Sequence, residues 1–406
     1  MEVIYERCCG LDVHKKTVVA CLRAPGGSRR QSEVRTFGTT TDELETLAEW
    51  LQRGGCTHAA IESTGVYWQP VFNVLEHVCT VVLVNAQHVK AVPGRKTDVR
   101  DAEWLAQLLE HGLLRPSFIP PLRIRELREL TRYRLTLKRT RADETNRVQK
   151  LLEGANIKLG NVATDVLGAS GRAMCRALIA GETDPIRLAE LAKGALRRKR
   201  PALLAALRGR FTPHHAVLLQ MLLDHIDDLT RHIATCDAQI RACRGPFAAE
   251  VELLESIPGL SATTVETVIA EIGVDMGRFP TAAHLASWAG LCPGNHESAG
   301  RRQTGRIRPG NPWLRAALVQ AAWAASRTSS THLRRFHERI ARRRGAKRAT
   351  IAVAHRLLVA IWHILTRRTP YVDSGPTPKE DRTIAHLRRY YLRRLDHLGA
   401  GAAPAT

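Results

Sequence analysis

The sequence predicts an α/β domain over residues 1–115 followed by an all-α remainder. Three observations carry this. Short β-branched runs alternate with helix-period segments up to about Arg115. Beyond Pro121 strand signals vanish, and leucines recur at near-helical spacing among Arg, Lys and Glu. Aromatic residues make up only 5% of the chain, which suits helical cores built on Leu, Val and Ala.

The first strand is the short apolar run Cys8–Val13, which carries Asp12 near its end. His14-Lys15-Lys16 reads as a turn into a second strand, Thr17–Leu22, rich in β-branched residues. Pro25-Gly26-Gly27 is another turn, and Glu33–Phe37 a third strand. Thr41-Asp42-Glu43-Leu44 opens a helix with a capping residue and acids in its first turn; it stops at Gly54-Gly55. His58–Glu62 is a fourth strand, Trp68–His77 a helix, and Thr80–Val84 a fifth strand, apolar enough to be buried on both faces. Asp98–Leu109 is a helix with Trp104, Leu105 and Leu108 on one side. Three hairpin-like strands followed by strand–helix alternation is the layout of an RNase H or RuvC-like sheet, an analogy of fold and not of function.

In the middle region, 116–250, two long charged segments around Leu122–Leu152 and Leu203–Ile240 predict an antiparallel helix pair. Their heptads are imperfect, so a coiled coil is one option among helical pairs. The cluster Arg197-Arg198-Lys199-Arg200 between them suits either a phosphate backbone or plain solvation. A third unit, 251–370, is helical, with an apolar helix from Val265 to Ile272 and another apolar stretch, Ile351–Leu365, that reads as core. Residues 371–406 form a Pro-, Gly- and Ala-rich tail whose end, Gly399–Thr406, is expected to be disordered.

The formal charge is +22, from 61 Lys and Arg against 39 acids. A surplus of that size points to a polyanionic partner, nucleic acid by default; a generally basic surface is the plain alternative. Nine cysteines without a Cys-x-x-Cys pair argue against a zinc site or a secreted disulfide framework and for reduced thiols in the cytoplasm. The stretch Ile351–Leu365, interrupted by His355, Arg356 and His363, reads as too short and too polar for a membrane span, so no membrane partner is expected.

Three constellations can carry chemistry. Asp12 and Glu62 close strands, while Asp98 and Asp101 stand three apart on a helix and can face one way. Hard oxygen donors of this kind suit Mg²⁺ and phosphoryl transfer, although any one of these acids alone is more often a cap or a solvated residue. Ser298 lies in a Gly-flanked polar loop, Gly290-Leu291-Cys292-Pro293 to Ser298-Ala299-Gly300, with Arg301, Arg302, Arg306 and Arg308 after it. A serine attacking a phosphodiester needs such cations, but an idle loop serine looks the same in sequence. Ile257-Pro258-Gly259-Leu260 resembles the turn of a helix–hairpin–helix unit, in which amides near Gly259 could hold phosphate; it equally suits an ordinary interhelical turn.

Taken in order, Gly10-Leu11-Asp12-Val13-His14-Lys15, Ile61-Glu62-Ser63-Thr64-Gly65 and Lys96-Thr97-Asp98-Val99-Arg100-Asp101-Ala102 match a known pattern. With Ile257-Pro258-Gly259 and the Gly290–Gly300 motif, the chain resembles the insertion-sequence 110 family of transposases over about residues 1–370. The resemblance implies a RuvC-like domain holding Mg²⁺ on Asp12, Glu62, Asp98 and Asp101, and a nucleophilic Ser298 that links covalently to DNA. It also implies a composite site between subunits of a dimer or tetramer, donor and target DNA as substrates, and a structured guide RNA that pairs with both. Three rivals stand beside it: a RuvC-like nuclease that hydrolyses DNA without the serine; an actin-like kinase, disfavoured by the charge and by the lack of a second Gly-rich phosphate loop; and a non-catalytic nucleic-acid-binding protein.

Overall fold

The computed structural model describes residues 2–26, 30–63, 65–85, 98–293, 296–298, 301–304, 307, 309–373, 386 and 388–395. The chain divides into two compact units, 1–119 and 120–406.

The first unit is a five-stranded mixed sheet of β1 (Cys8–Val13), β2 (Thr17–Ala24), β3 (Gln31–Gly38), β4 (His58–Glu62) and β5 (Thr80–Val84). The order is β3-β2-β1-β4-β5. β2 runs antiparallel to both β1 and β3, while β1, β4 and β5 are parallel. Parallel neighbours need crossovers, and α1 (Thr41–Arg53) and α2 (Trp68–Leu75) supply them. Strand alternation then sorts the side chains. Cys9, Leu11, Val13 and Ile61 point to one face, where Leu44, Leu47 and Leu51 of α1 and Val71 and Leu75 of α2 cover them. Cys8, Val19, Cys21 and Ala60 point to the other, covered by Ala102, Leu105, Ala106 and Leu109 of α3 (Asp98–Glu110).

Two local expectations are corrected. The cap of α1 is Thr40 rather than Thr41, and its side chain makes no capping bond. Instead the carboxylate of Glu43 accepts the Gly38 N–H at 3.0 Å. β5 is an edge strand, so Val81 and Val82 are only half-buried; Leu83 and Val84 alone are fully covered. The Leu83 carbonyl accepts the Ser117 amide at 2.7 Å, and Val84 bridges to Pro116, so the segment before Ile119 shields that edge.

In the second unit α4 (Leu122–Gly154) and α9 (Pro213–Cys243) pair lengthwise. They run antiparallel: Arg134 meets Asp237, Arg141 meets Thr230 and Glu144 meets His225, partner numbers falling as α4 advances. Leu137, Leu229, Ile233 and Cys236 fill the seam. Between the two helices lies a small helical knot: α5 (Leu159–Val162), α6 (Ala169–Ile179), α7 (Pro185–Glu190), a 3-10 turn (Gly194–Lys199) and α8 (Arg200–Ala206). Met174, Cys175, Leu178, Leu188 and Leu203 form its core against Val148 and Leu152 of α4 and Leu219 and Leu223 of α9.

The rest of the unit comprises α10 (Ala248–Glu255), α11 (Ala262–Ile272), α12 (Ala282–Trp288), a hairpin of β6 (His296–Ser298) and β7 (Arg301–Thr304), α13 (Pro312–Arg327), α14 (His332–Arg344) and α15 (Ala346–Arg367). α15 is the central helix and packs on α12, α13 and α14. It is longer than the sequence suggested. At 22 residues it is long and apolar enough, by length and composition, to cross a membrane. Its apolar side chains Val353, Leu357, Leu358, Ile361 and Leu365 are nevertheless buried inside this unit, which is what a core helix requires.

Candidate active site

β1 and β4 bring two carboxylates to one sheet end. The last paired residues of these parallel strands are Leu11 and Ile61. Asp12 and Glu62 each follow by one residue, so they stand at neighbouring strand ends. Leu11 and Ile61 point to the α1–α2 face, hence Asp12 and Glu62 point to the α3 face. The β1–β2 register agrees: Asp12 stands opposite Val19, which packs on Ala102 and Ala106. Asp12 is largely covered, with 14% of its side chain exposed, and its Oδ2 lies 3.1 Å from His14 Nε2.

α3 crosses this face with its start toward the same end. Cys8 Sγ lies 3.6 Å from the Ala106 carbonyl. A Cβ on Gly10 would stand 2.2 Å from the Ala102 carbonyl oxygen. As β1 advances toward Asp12, the helix therefore recedes toward its first turn, where Asp98 and Asp101 are found. The side chain of Asp98 lies outside what the structure describes; Asp101 is half-buried. Among the described residues no three His, Cys, Asp or Glu side chains meet as a formed metal cluster. The donor chemistry fits a divalent cation all the same, because carboxylate oxygens are the hard ligands that such ions take, a few at a time.

The serine motif of the second unit is a hairpin, where the sequence suggested a loop. Pro293 bridges Ile307 and His296 pairs with Thr304; Glu297 pairs with Arg302 and Ser298 with Arg301. Ser298 is thus the last residue of β6, directly across from a cation-bearing position. The side chains of Ser298, Arg301 and Arg302, and all of Arg306 and Arg308, lie outside what the structure describes. Gly259, in the turn between α10 and α11, has φ +91°, and a Cβ there would stand 2.5 Å from the Ala325 amide of α13. The turn is therefore pressed onto a helix backbone, and this close approach alone requires glycine.

Sequence reasoning missed two features. His14, read as a turn residue, contacts Asp12; only its adjacency in sequence hinted at this. Glu271 on α11 is fully buried beside the hairpin's foot and is gripped by Arg132 and Arg128 of α4. Burial draws Arg128 down to about 10, which still leaves it cationic at neutral pH. The basic cluster after Leu196 is largely committed within its own unit. Arg197 and Lys199 donate to the Ala192 and Val162 carbonyls, and Arg200 pairs with Glu190. The nine cysteines are free thiols, none of them exposed; burial lifts Cys8 and Cys21 to about 11 and Cys175 to about 12, which keeps them protonated.

Two family profiles match the chain in order. One, described as a transposase, spans residues 9–157; the other, described as the transposase IS116/IS110/IS902 family, spans residues 251–338. The carboxylate end of the sheet falls in the first and the serine hairpin in the second. The class is thus that of transposases, enzymes that act on DNA. A probable family 20 transposase of Pseudomonas aeruginosa is 30% identical over 320 residues, 77% of this chain and 85% of the relative. The chain belongs to the IS110 family of transposases. A pilin gene-inverting protein of Moraxella bovis is 29% identical over 157 residues, 36% of this chain and 48% of the relative. Among solved structures, RuvC of Thermus thermophilus matches 27% of this chain and 99% of its own at 12% identity, with a TM-score of 0.22.

Proposed function

We propose that this transposase cuts, exchanges and rejoins DNA strands through a carboxylate centre of Asp12, Glu62, Asp98 and Asp101 and a nucleophilic Ser298. The observation that supports it most is the arrangement at one sheet end: two strand-terminal carboxylates on the face covered by a helix that begins with two more acids. In this reading the first unit is RuvC-like, and its strand order and directions suit that fold. Mg²⁺, when bound by these carboxylates, neutralises charge that develops on the reacting phosphate. Asp12 and Glu62 supply oxygens from rigid strand ends, Asp98 and Asp101 from the facing helix, and α3 keeps one side of the site covered.

The Ser298 oxygen attacks phosphorus. A serine–phosphate ester forms as one P–O bond to deoxyribose breaks, and the leaving oxygen takes up the proton that the serine gives up. The hydroxyl of an incoming strand then attacks the ester, restoring both the phosphodiester and the serine, with no outside energy source. Arg301, Arg302, Arg306 and Arg308 hold the phosphate, and the α10–α11 turn around Gly259 acts as a backbone-binding hairpin. A relative that inverts a gene is named for an outcome that requires rejoining as well as cutting. Donor and target DNA, a structured guide RNA, assembly as a dimer or tetramer, a coiled-coil reading of α4 and α9, and action in the cytoplasm complete the proposal.

The test is capture of protein on nicked DNA carrying the element's own end, using the complex as purified from cells. Wild type is expected to give a denaturant-resistant adduct. Ser298→Ala removes the adduct and strand exchange; Asp12→Ala removes cleavage and leaves nucleic-acid binding largely intact. Cleavage without any adduct in wild type supports metal-dependent hydrolysis instead, and full recombination by Ser298→Ala eliminates the serine.

A further inference from the structure

The hairpin that carries Ser298 is held at its foot by an unusual polar device. Its outgoing strand β7 ends at Thr304; the chain then bridges Pro293 at Ile307 and reaches α13 at Gly310-Asn311. Asn311 has two tasks. Its Oδ1 accepts the Trp313 and Leu314 amides, both at 3.0 Å, and so caps α13. Its Nδ2 donates to Glu271 Oε2 at 2.6 Å. Glu271 is 0% exposed. Arg132 grips the same carboxylate with two bonds, Nε to Oε1 at 2.7 Å and Nη2 to Oε2 at 2.8 Å. The Arg132 guanidinium also lies 5.5 Å from the Trp313 ring centre, and Arg139 lies 5.4 Å from it. Arg128 completes the set by donating to the Ala270 and Glu271 carbonyls at 2.9 and 2.8 Å.

A closed circuit therefore joins α4, α11 and the first residues of α13: Arg132 to Glu271, Glu271 to Asn311, Asn311 to Trp313, Trp313 back to Arg132. On the incoming side the hairpin is pinned differently. A Cβ on Gly310 would stand 2.5 Å from the Ala289 carbonyl and from the Gly290 amide, so the two feet touch backbone to backbone. A core needing only cohesion is served as well by apolar side chains of similar volume, because a buried ion pair is expensive to desolvate. What directional bonds add is a fixed orientation, the property that a nucleophile on a two-stranded ribbon requires.

We propose that Glu271, held by Arg132, is a positioning residue: through Asn311 it sets the angle and register at which the hairpin presents Ser298 to a phosphodiester. This rests on the reading of Ser298 as nucleophile, and two measurements separate the two claims. Asn311→Ser keeps a capping acceptor but lacks the amide that reaches Glu271. Arg132→Lys keeps the charge and loses the two-bond grip. Full-length variants are compared with wild type by backbone hydrogen exchange across residues 291–311, by thermal melting, by DNA binding and by the rate of the covalent adduct.

Both variants are expected to exchange about tenfold faster in that segment, the loss of one charge-assisted bond, with a cooperative melt lowered by no more than about a few degrees. Adduct formation is expected to fall on the order of tenfold to a hundredfold while DNA affinity holds, because misplacement and not binding is the defect. Wild-type exchange in the hairpin of both variants overturns the proposal, as does adduct formation at the wild-type rate. An absence of adduct in wild type sinks the nucleophile reading, while exchange in residues 291–311 still decides whether the circuit fixes the hairpin.

Discussion

Gly10 is the residue at which β1 and α3 come into backbone contact, and it stands two positions before Asp12 on the same face of the sheet. A methyl group there would meet the Ala102 carbonyl oxygen at 2.2 Å and the Ala106 amide at 2.4 Å, neither of which can swing aside as a side chain does. Gly10→Ala is therefore expected to destabilise the first unit by about 1–3 kcal/mol, the usual cost of overpacking a close-packed interior. It should also lift the helix that carries Asp98 and Asp101 away from Asp12, so that DNA cleavage drops further than the unfolding curve explains. Urea unfolding followed by far-ultraviolet dichroism, with cleavage assayed well below the transition, checks both effects. An alanine variant with unchanged midpoint and activity would mean that α3 does not press on β1 as closely as described. The glycine of the Gly10-Leu11-Asp12 motif thus has a packing reason of its own.

Where apolar periodicity was strong, the elements were legible in the sequence. The five strands and their order of helices follow from β-branched runs and Gly or Pro breaks, and the long pair α4 and α9 from leucine spacing. The small knot of α5 to α8 was not legible, because helices of four to eleven residues are too short to display a period. The hairpin was missed for a related reason: its strands have three and four residues and are polar, with the sequences His-Glu-Ser and Arg-Arg-Gln-Thr. The acids of the candidate site were legible only as an ordered set, since spacing along the chain does not show that Asp12 and Glu62 share a sheet end. Buried ion pairs were least legible of all, because a charged residue on an amphipathic helix is normally solvated. Arg134 of α4 is the clearest case. Only 3% of its side chain is exposed, and it bonds Glu266 of α11 at 2.7 Å and Asp237 of α9 at 2.9 Å. Arg244 also reaches Glu266, at 3.2 Å. Arg134→Ala is expected to cost the second unit about 3–5 kcal/mol, because it strands a carboxylate in the interior. Urea unfolding measures this, and a loss under about 1 kcal/mol would mean that Arg244 and water suffice for Glu266.

Across the whole molecule the net charge of +22 has to be reconciled with how many cations are already engaged. Many are committed internally: Arg23 and Arg30 to the buried Glu110, Arg128 and Arg132 to Glu271, and Arg134 and Arg244 to Glu266; in the exposed Arg197–Arg200 cluster, Arg197 and Lys199 each donate to a carbonyl of their own unit and Arg200 pairs with Glu190. Others stand on exposed helical turns, among them Arg342, Arg343 and Arg344 at the end of α14, followed by Lys347 and Arg348. Cations of the second kind exchange condensed counterions for phosphates and make binding depend on salt; those of the first kind do not. Binding to double-stranded DNA of unrelated sequence is therefore expected to weaken on the order of a thousandfold or more between about 50 and 200 mM salt, the behaviour of six or more phosphate contacts. Replacing Arg342, Arg343 and Arg344 together by Gln should flatten the logarithmic slope by roughly two to three, whereas Arg197→Gln should leave it unchanged. Titrations at five salt concentrations with wild type and the two variants give the slopes directly. A slope that responds to Arg197 and ignores the triple substitution would reverse this division of the charge, placing the nucleic-acid path along the knot between the long helices and not along the end of α14.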